Sequence, residues 1–294
     1  MYVRKFAPKW LLCQRGNWAK PCGQRLLATS VESASMRSLN VTSDEYRRLA
    51  AEVVNQAADY LDGIDSRPTF PDVRGADTER LFHTPLPERG MGASALDALR
   101  QIPDYSRVQN GRFFGYVLGS GEPVGALADL LASALNQNLT AWRSGPAAIT
   151  IERSVVQWIA EALGCQGFHG SLTGGGSSAN LMGLTIARES RMGANEKGVS
   201  QAPRAAVYAS SEVHMSIGKS VALLGLGREN LRLIPVDSEF RMIPSELERA
   251  IEVDKAAGRV PMAIVASAGT VNTGSIDPLY GDDRDLPGYY RPGR

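Results

Sequence analysis

The sequence predicts an α/β protein whose mainly parallel sheet is covered by helices. Strand-like and helical runs alternate after Gly164, and a glycine- and serine-rich loop, SLTGGGSSANLMG, leads directly into one of the helices. Polar residues follow two of the strands where those strands end. Such alternation favours a parallel sheet, and the carboxyl edge of such a sheet is where α/β proteins bind ligands.

The composition is typical of a globular protein with one or two domains. The 294 residues are 43% hydrophobic and 21% charged, with a net charge of +1, so we expect neither a nucleic-acid nor a membrane partner. The three cysteines, Cys13, Cys22 and Cys165, match neither a disulfide framework nor a zinc-binding pattern. They predict a reducing, cytoplasmic location and no metal.

Residues 1–35 are predicted to form a basic extension outside the fold. Lysines and arginines outnumber the one acid, Glu32. An organelle transit peptide has this composition, and so does a disordered extension or a start codon assigned too early, with Met36 as the true start. The segment lacks a clear amphipathic helix, which favours the second interpretation.

Residues 36–122 are predicted to form an N-terminal helical segment. Thr42 and Glu45 have the spacing of a capping box, and apolar residues then recur on one helical face until Gly63. The remaining elements of this segment are predicted to be an irregular, proline-rich stretch at 67–88 and a short helix at 94–102.

Residues 123–279 are predicted to form the larger α/β domain. Pro123 and Pro244 suit the first turn of a helix, where a missing amide hydrogen costs nothing. The predicted helices are 123–139, 147–163, 177–192, 215–224 and 244–257, and the predicted strands are 205–209, 231–236 and 262–266.

The glycine-rich loop is a candidate phosphate-binding site. The first amide groups of a helix are unpaired and favour an anion, and Ser177 and Ser178 add hydroxyl donors. The alternative is a glycine-rich turn that only leads into a packed helix. Neither a dinucleotide fingerprint nor a P-loop is predicted, because no clear strand precedes Gly174 and Val213 stands where the P-loop glycine would be.

Two further polar sites follow predicted strands. His214 follows AAVYAS, where its flat ring could stack on a flat cofactor, although it could equally cap a helix or lie on the surface. The segment 266–279, ASAGTVNTGSIDPL, carries Thr270 and other hydroxyl-bearing residues. It is either a ligand-binding loop or a plain connection between strand and helix.

Together with NGRFFGYVLGSGEP and WRSGPAAITIE, these motifs resemble, in order, the pyridoxal phosphate-dependent group II amino acid decarboxylases. The resemblance covers residues 42–279. It implies that residues 123–279 are an incomplete large, PLP-binding domain of the aspartate aminotransferase-like fold (fold type I), after an N-terminal helical segment. It also implies an obligate homodimer with active sites at the subunit interface, and pyridoxal 5′-phosphate (PLP) as cofactor. It also implies decarboxylation of an L-amino acid.

The resemblance also implies roles for particular residues. Gly176 and Ser177, together with Ser178 from the same loop, would bind the cofactor phosphate, and His214 would stack on the pyridine ring. Thr270 would be a further cofactor-binding residue, in a loop near the cofactor and the substrate carboxylate. Phe113 and Trp142 would lie in segments that line the substrate pocket. An aromatic and an aliphatic substrate fit these two aromatic residues equally well.

The sequence departs from the family pattern after Leu279. The stretch 280–294 lacks the expected helix, the aspartate that would pair with the pyridine nitrogen, and the lysine that would hold the cofactor covalently. We expect an aberrant tail produced by a frameshift or gene-model error, no catalytic residue in the chain, and a chain that is poorly soluble and inactive alone. Three lysines, Lys197, Lys219 and Lys255, are predicted to be surface residues.

Two other functions stay open. The chain could be a non-catalytic fragment that binds a partner subunit or nothing. It could also belong to another enzyme of the same fold, such as an aminotransferase or a cysteine desulfurase, although the FFGYV and SGPAAITIE segments argue against this.

Overall fold

A computed structural model describes residues 41–279 of the chain. The predicted basic extension, with Cys13 and Cys22, and the tail at 280–294 lie outside the described residues. The chain divides into two compact units, of which one ends at Gly111 and the other begins at Arg112. This division falls inside the predicted 36–122 segment, whose limits stay a prediction.

The first unit is helical. Helix α1 (Ser43–Asp62) begins where the Thr42 hydroxyl accepts a hydrogen bond from the Glu45 amide at 3.2 Å, which confirms the predicted start. Helix α2 (Gly75–Phe82) lies in the stretch predicted to be irregular. The tighter 3₁₀ segments of this unit are Ile64–Ser66, Gly92–Arg100 and Ile102–Tyr105.

The second unit contains the predicted alternation of helices and strands. Its first helix ends earlier than predicted because Asn136 adopts a left-handed conformation with φ 44° and ψ 52°, which caps the helix. The helices are α3 (Pro123–Leu135), α4 (Pro146–Ala162), α5 (Gly176–Met192), α6 (Ala194–Lys197), α7 (Ser216–Leu223) and α8 (Pro244–Ala256). The strands are β1 (Ala205–Ser210), β2 (Leu231–Ile234) and β3 (Val260–Val265).

The three strands form a parallel sheet in the order β2-β1-β3. Val207 of β1 is opposite Leu231 of β2, and Tyr208 is opposite Ile264 of β3. Because β1 and β3 are adjacent and parallel, the loops that follow them leave the same edge of the sheet. The α/β class and the parallel sheet predicted from the sequence are therefore confirmed.

The core lies on both faces of this sheet. On one face, β1 and β3 side chains such as Val207 and Met262 pack with apolar residues of α5 and α7. On the other face, Tyr208 and Ile234 pack with Leu247 and Ile251 of α8. Every residue of β1 is buried, so the centre of the sheet is rigidly held between the two helical layers.

Among residues 41–279, no helix combines the length and apolar character that crossing a bilayer requires.

Candidate functional site

The glycine-rich loop is held open in front of helix α5. Gly175 has φ 141° and ψ 169°, a conformation essentially restricted to glycine. Its carbonyl oxygen accepts hydrogen bonds from the Thr173 hydroxyl and from the amides of Ser178 and Ala179, all at 3.1 Å. These three bonds fix the turn that starts the helix.

The predicted phosphate-binding residues lie at the exposed start of α5. Gly176 is its first residue, and Ser177 and Ser178 follow it, all three exposed. A Cβ atom added at Gly174, Gly175 or Gly176 would meet no atom within 4 Å, so the space before the helix is free. Outward-pointing amides and exposed hydroxyls at a helix N-terminus form a geometry that fits a phosphate group.

Glu152 of helix α4 anchors the chain just before this loop. Its Oε1 atom accepts hydrogen bonds from the Leu172 amide at 2.8 Å and from the Ser171 hydroxyl at 2.9 Å. These two donors, first the Leu172 amide and then the Ser171 hydroxyl, hold the pKa of the Glu152 carboxyl below its ordinary value. Sequence analysis did not single out Glu152, since its partners lie about twenty residues away.

His214 is exposed and is held by residues at the start of helix α7. Its Nδ1 accepts a hydrogen bond from the Ser216 amide at 3.2 Å and lies 2.9 Å from the Ser216 hydroxyl oxygen. His214 therefore accepts from the first amide of α7, as the capping alternative predicts, and its stacking role stays a prediction. Asn180 of α5 donates to the same Ser216 oxygen at 2.9 Å, which connects His214 to the helix of the glycine-rich loop.

Thr270 follows β3, as predicted, but it is buried, with 6% of its surface exposed. Its Oγ1 lies 2.5 Å from the Thr273 Oγ1 and accepts a hydrogen bond from the Ser275 amide at 3.2 Å. Two hydroxyl groups carry two protons, and one proton lies between the two oxygens. The other remains available to an acceptor outside the pair.

Asp277 fixes this loop to the rest of the domain. Its carboxylate is buried and accepts hydrogen bonds from the Met242 amide at 2.7 Å and the Ser267 amide at 2.8 Å. The two amides belong to segments on either side of β3 in sequence. The loop that carries Thr270 is therefore held at its base, and sequence analysis missed this residue.

The predicted substrate residues lie in two separate segments. The Phe113 ring stacks on Tyr116 with 6.1 Å between ring centroids, and Tyr116 and the following Val117 both have positive φ, at 61° and 54°. Trp142 opens a 3₁₀ turn and is half exposed. The role of Phe113 and Trp142 in substrate binding stays a prediction.

The candidate residues belong to elements at the carboxyl edge of the sheet. Asn180, in the second turn of α5, is joined to His214 through Ser216, and the loops of His214 and Thr270 follow adjacent parallel strands. Ser210 ends β1 and is fully buried, and its hydroxyl has no hydrogen-bond partner among residues 41–279. Buried hydroxyls are normally hydrogen-bonded, so this one fits a polar group of a ligand bound at this edge.

Comparison with known protein families gives a match over most of the second unit. The pyridoxal-dependent decarboxylase conserved domain matches residues 100–281. A tyrosine decarboxylase from Oryza sativa subsp. japonica is 32% identical over 265 residues, which cover 85% of this chain and 49% of the rice protein.

Comparison with solved structures also finds similar proteins. Mouse CSAD in its apo form has a TM-score of 0.75 and 27% sequence identity, over 81% of this chain and 52% of that protein. Oryza sativa TDC, solved with PLP and tryptamine, has a TM-score of 0.71 and 26% identity, over 81% of this chain and 54% of that protein. The chain spans about half the length of these relatives.

Proposed function

Because this chain belongs to the pyridoxal-dependent decarboxylase family, we propose that it contributes the phosphate-binding and ring-stacking part of an enzyme that releases CO2 from an L-amino acid. The cofactor of this family is pyridoxal 5′-phosphate. The observation that carries the proposal is the connection of α5, the helix whose N-terminus is exposed, to His214 through Asn180 and Ser216.

The residues at the start of α5 fit the phosphate of this cofactor. We propose that the amides of Gly176 and Ser177, with the hydroxyls of Ser177 and Ser178, donate hydrogen bonds to it. The helix dipole adds about 0.3–1 kcal/mol, so most of the affinity must come from the hydrogen bonds acting together. Glu152 contributes indirectly, because it fixes the chain before the loop.

His214 fits the role of a stacking residue. Its ring is exposed and is held through Nδ1, so one face is free to lie against a flat pyridine ring. Bound PLP supplies an electron-accepting ring that takes up the charge left when CO2 departs. His214 would hold that ring in place and exclude water from one of its faces.

The pair of hydroxyls at Thr270 and Thr273 fits the carboxylate end of the substrate. One of their two protons is free for an external acceptor, and Thr273 is exposed. A hydroxyl donor to a carboxylate is a charge-assisted hydrogen bond. We propose that this bond orients the carboxylate, and that Asp277 keeps the donor in position through Ser267.

We also propose that the complete protein acts as a homodimer in the cytoplasm. Helix α3 supports the dimer because it exposes a stripe of large apolar side chains, namely Val124, Leu127, Leu131 and Leu135. The cysteine usage supports a reducing compartment. Sedimentation at several concentrations tests the dimer directly.

The test of the function is a panel of carboxyl-labelled aromatic and acidic L-amino acids, incubated with the chain and PLP. Trapped labelled CO2 would support decarboxylation and would contradict the expectation that the chain is inactive alone. Formation of a keto acid without CO2 would instead support an aminotransferase, and bound PLP with neither product would support a non-catalytic fragment. Failure to bind PLP at all would contradict the proposal.

A further inference from the structure

A chain of hydrogen bonds joins three side chains from two helices and the loop between β1 and α7. The Asn180 side-chain amide donates to the Ser216 hydroxyl oxygen at 2.9 Å, and that oxygen lies 2.9 Å from the His214 Nδ1. Ser216 is 3% exposed, so water competes little for these bonds. We call this group the Asn180–Ser216–His214 network.

The donors and acceptors of this network fix where its protons lie. A backbone amide can only donate, and the Ser216 amide points at His214 Nδ1 from 3.2 Å. Nδ1 must therefore be an acceptor without a proton. The Ser216 oxygen already accepts from Asn180, so its own proton is free to turn toward Nδ1. The ring proton of neutral His214 then lies on Nε2.

We propose that Asn180 and Ser216 are positioning residues that hold His214 in the Nε2–H tautomer and set the plane of its ring for stacking on the cofactor. This rests on the proposed function. The network also ties the ring to α5, the helix that begins with the phosphate loop. One set of side chains thus fixes the distance between the two places where the cofactor is held.

The tautomer is tested without any cofactor, by NMR of the ring nitrogens in ¹⁵N-histidine-labelled chain. The sequence contains three histidines, and His83, whose Nδ1 lies 2.9 Å from the exposed Glu79 carboxylate, gives the signal of an exposed ring for comparison. In the neutral ring of His214, we expect the proton on Nε2.

Two variants then test the network itself. Ser216→Ala removes the hydroxyl donor, and Asn180→Asp turns that hydroxyl away from His214 toward a new carboxylate of almost the same shape. In both variants, the ¹⁵N chemical shift of His214 Nδ1 should move toward the value of an imidazole nitrogen that accepts no hydrogen bond from a hydroxyl group. Ser220→Ala is the matched control, because Ser220 lies in the same helix and is also 3% exposed.

Binding separates a positioning role from a merely structural one. The Ser216→Ala variant loses one neutral hydrogen bond, so it should bind PLP about fivefold more weakly than the unmodified chain. The affinity of the variant for inorganic phosphate should not change, because the glycine-rich loop before α5 is intact. Asn180→Asp is left out of this comparison, since its added charge repels any phosphate.

The outcomes are distinct. Any one of three results would overturn the proposed positioning role. These are a proton on His214 Nδ1, an unchanged spectrum in both variants, and an equal loss of PLP and phosphate affinity in Ser216→Ala. If the unmodified chain binds no PLP, the proposed function fails and the ring spectrum alone decides the network. If Ser216→Ala does not fold, the Asn180→Asp spectrum still decides it.

Discussion

Arg232 and Asp254 form a bidentate ion pair across the α8 face of the sheet. The Arg232 Nε lies 2.9 Å from Oδ2, and its Nη2 lies 2.8 Å from Oδ1. The Tyr208 hydroxyl also donates to Oδ2 at 3.0 Å, and the Asp254 side chain is 5% exposed. This pair fixes α8 to the two strands that precede it in sequence, β1 and β2.

Asp254→Asn should destabilise the domain strongly. Removal of one partner leaves a half-buried arginine without its counter-charge, which costs about 3 kcal/mol of unfolding free energy. Urea unfolding measures this loss. The control is Glu252→Gln in the same helix, whose pair with Lys255 is exposed and should contribute less than about 1 kcal/mol. Equal effects of the two substitutions would contradict the prediction.

The same pair predicts how stability depends on pH. The hydrogen bonds from Arg232 hold the pKa of the Asp254 carboxyl below its ordinary value; burial opposes this shift, and the Tyr208 hydroxyl and Arg259 add to it. The stabilisation is therefore complete above about pH 4, where an unfolded aspartate ionises. It is lost as the pH falls from there through the lower folded pKa.

Denaturant midpoints measured between neutral pH and the acid range check this slope. The unmodified chain should lose stability over that range more steeply than Asp254→Asn does, because the variant has no carboxyl to protonate at this position. If the denaturant midpoints of the two proteins fall in parallel with pH, Asp254 does not contribute to the pH dependence of stability.

Gly175→Ala should damage the predicted phosphate loop. A side chain at φ 141° and ψ 169° costs about 1–3 kcal/mol, so the loop should relax to another conformation and PLP affinity should fall. Gly174→Ala is the control, because Gly174 has no positive φ and its Cβ would meet nothing. Fluorescence titration with PLP compares the two variants, and equal affinities would contradict the prediction.

Much of this arrangement follows from local sequence, and the rest depends on contacts between distant residues. The start of α5 and the strand before His214 are predictable because glycine, serine and apolar spacing act over a few residues. Asn180 and Ser216 are 36 positions apart, so no local pattern predicts their bond. Helix α2 was missed because the surrounding prolines suggested irregular structure.

Glu152→Ala should weaken PLP binding severalfold without unfolding α4. The substitution frees the Leu172 amide and the Ser171 hydroxyl, so the segment before the phosphate loop loses its fixed position. Glu152→Gln keeps an acceptor and should show a smaller loss. Glu161→Ala, an exposed change in the same helix, should bind PLP as the unmodified chain does. If Glu152→Ala and Glu161→Ala bind PLP with equal affinity, Glu152 does not support the phosphate loop.

The parallel order β2-β1-β3 also determines when the site can form during synthesis. No pair of these three strands is joined by a hairpin, because α7 lies between β1 and β2 and α8 lies between β2 and β3. The central strand, β1, is synthesised first. It can pair with β2 next, and it pairs with β3 last. Pairings of this range form slowly, so the loop that carries Thr270 reaches the same edge of the sheet as His214 only after β3 has been made.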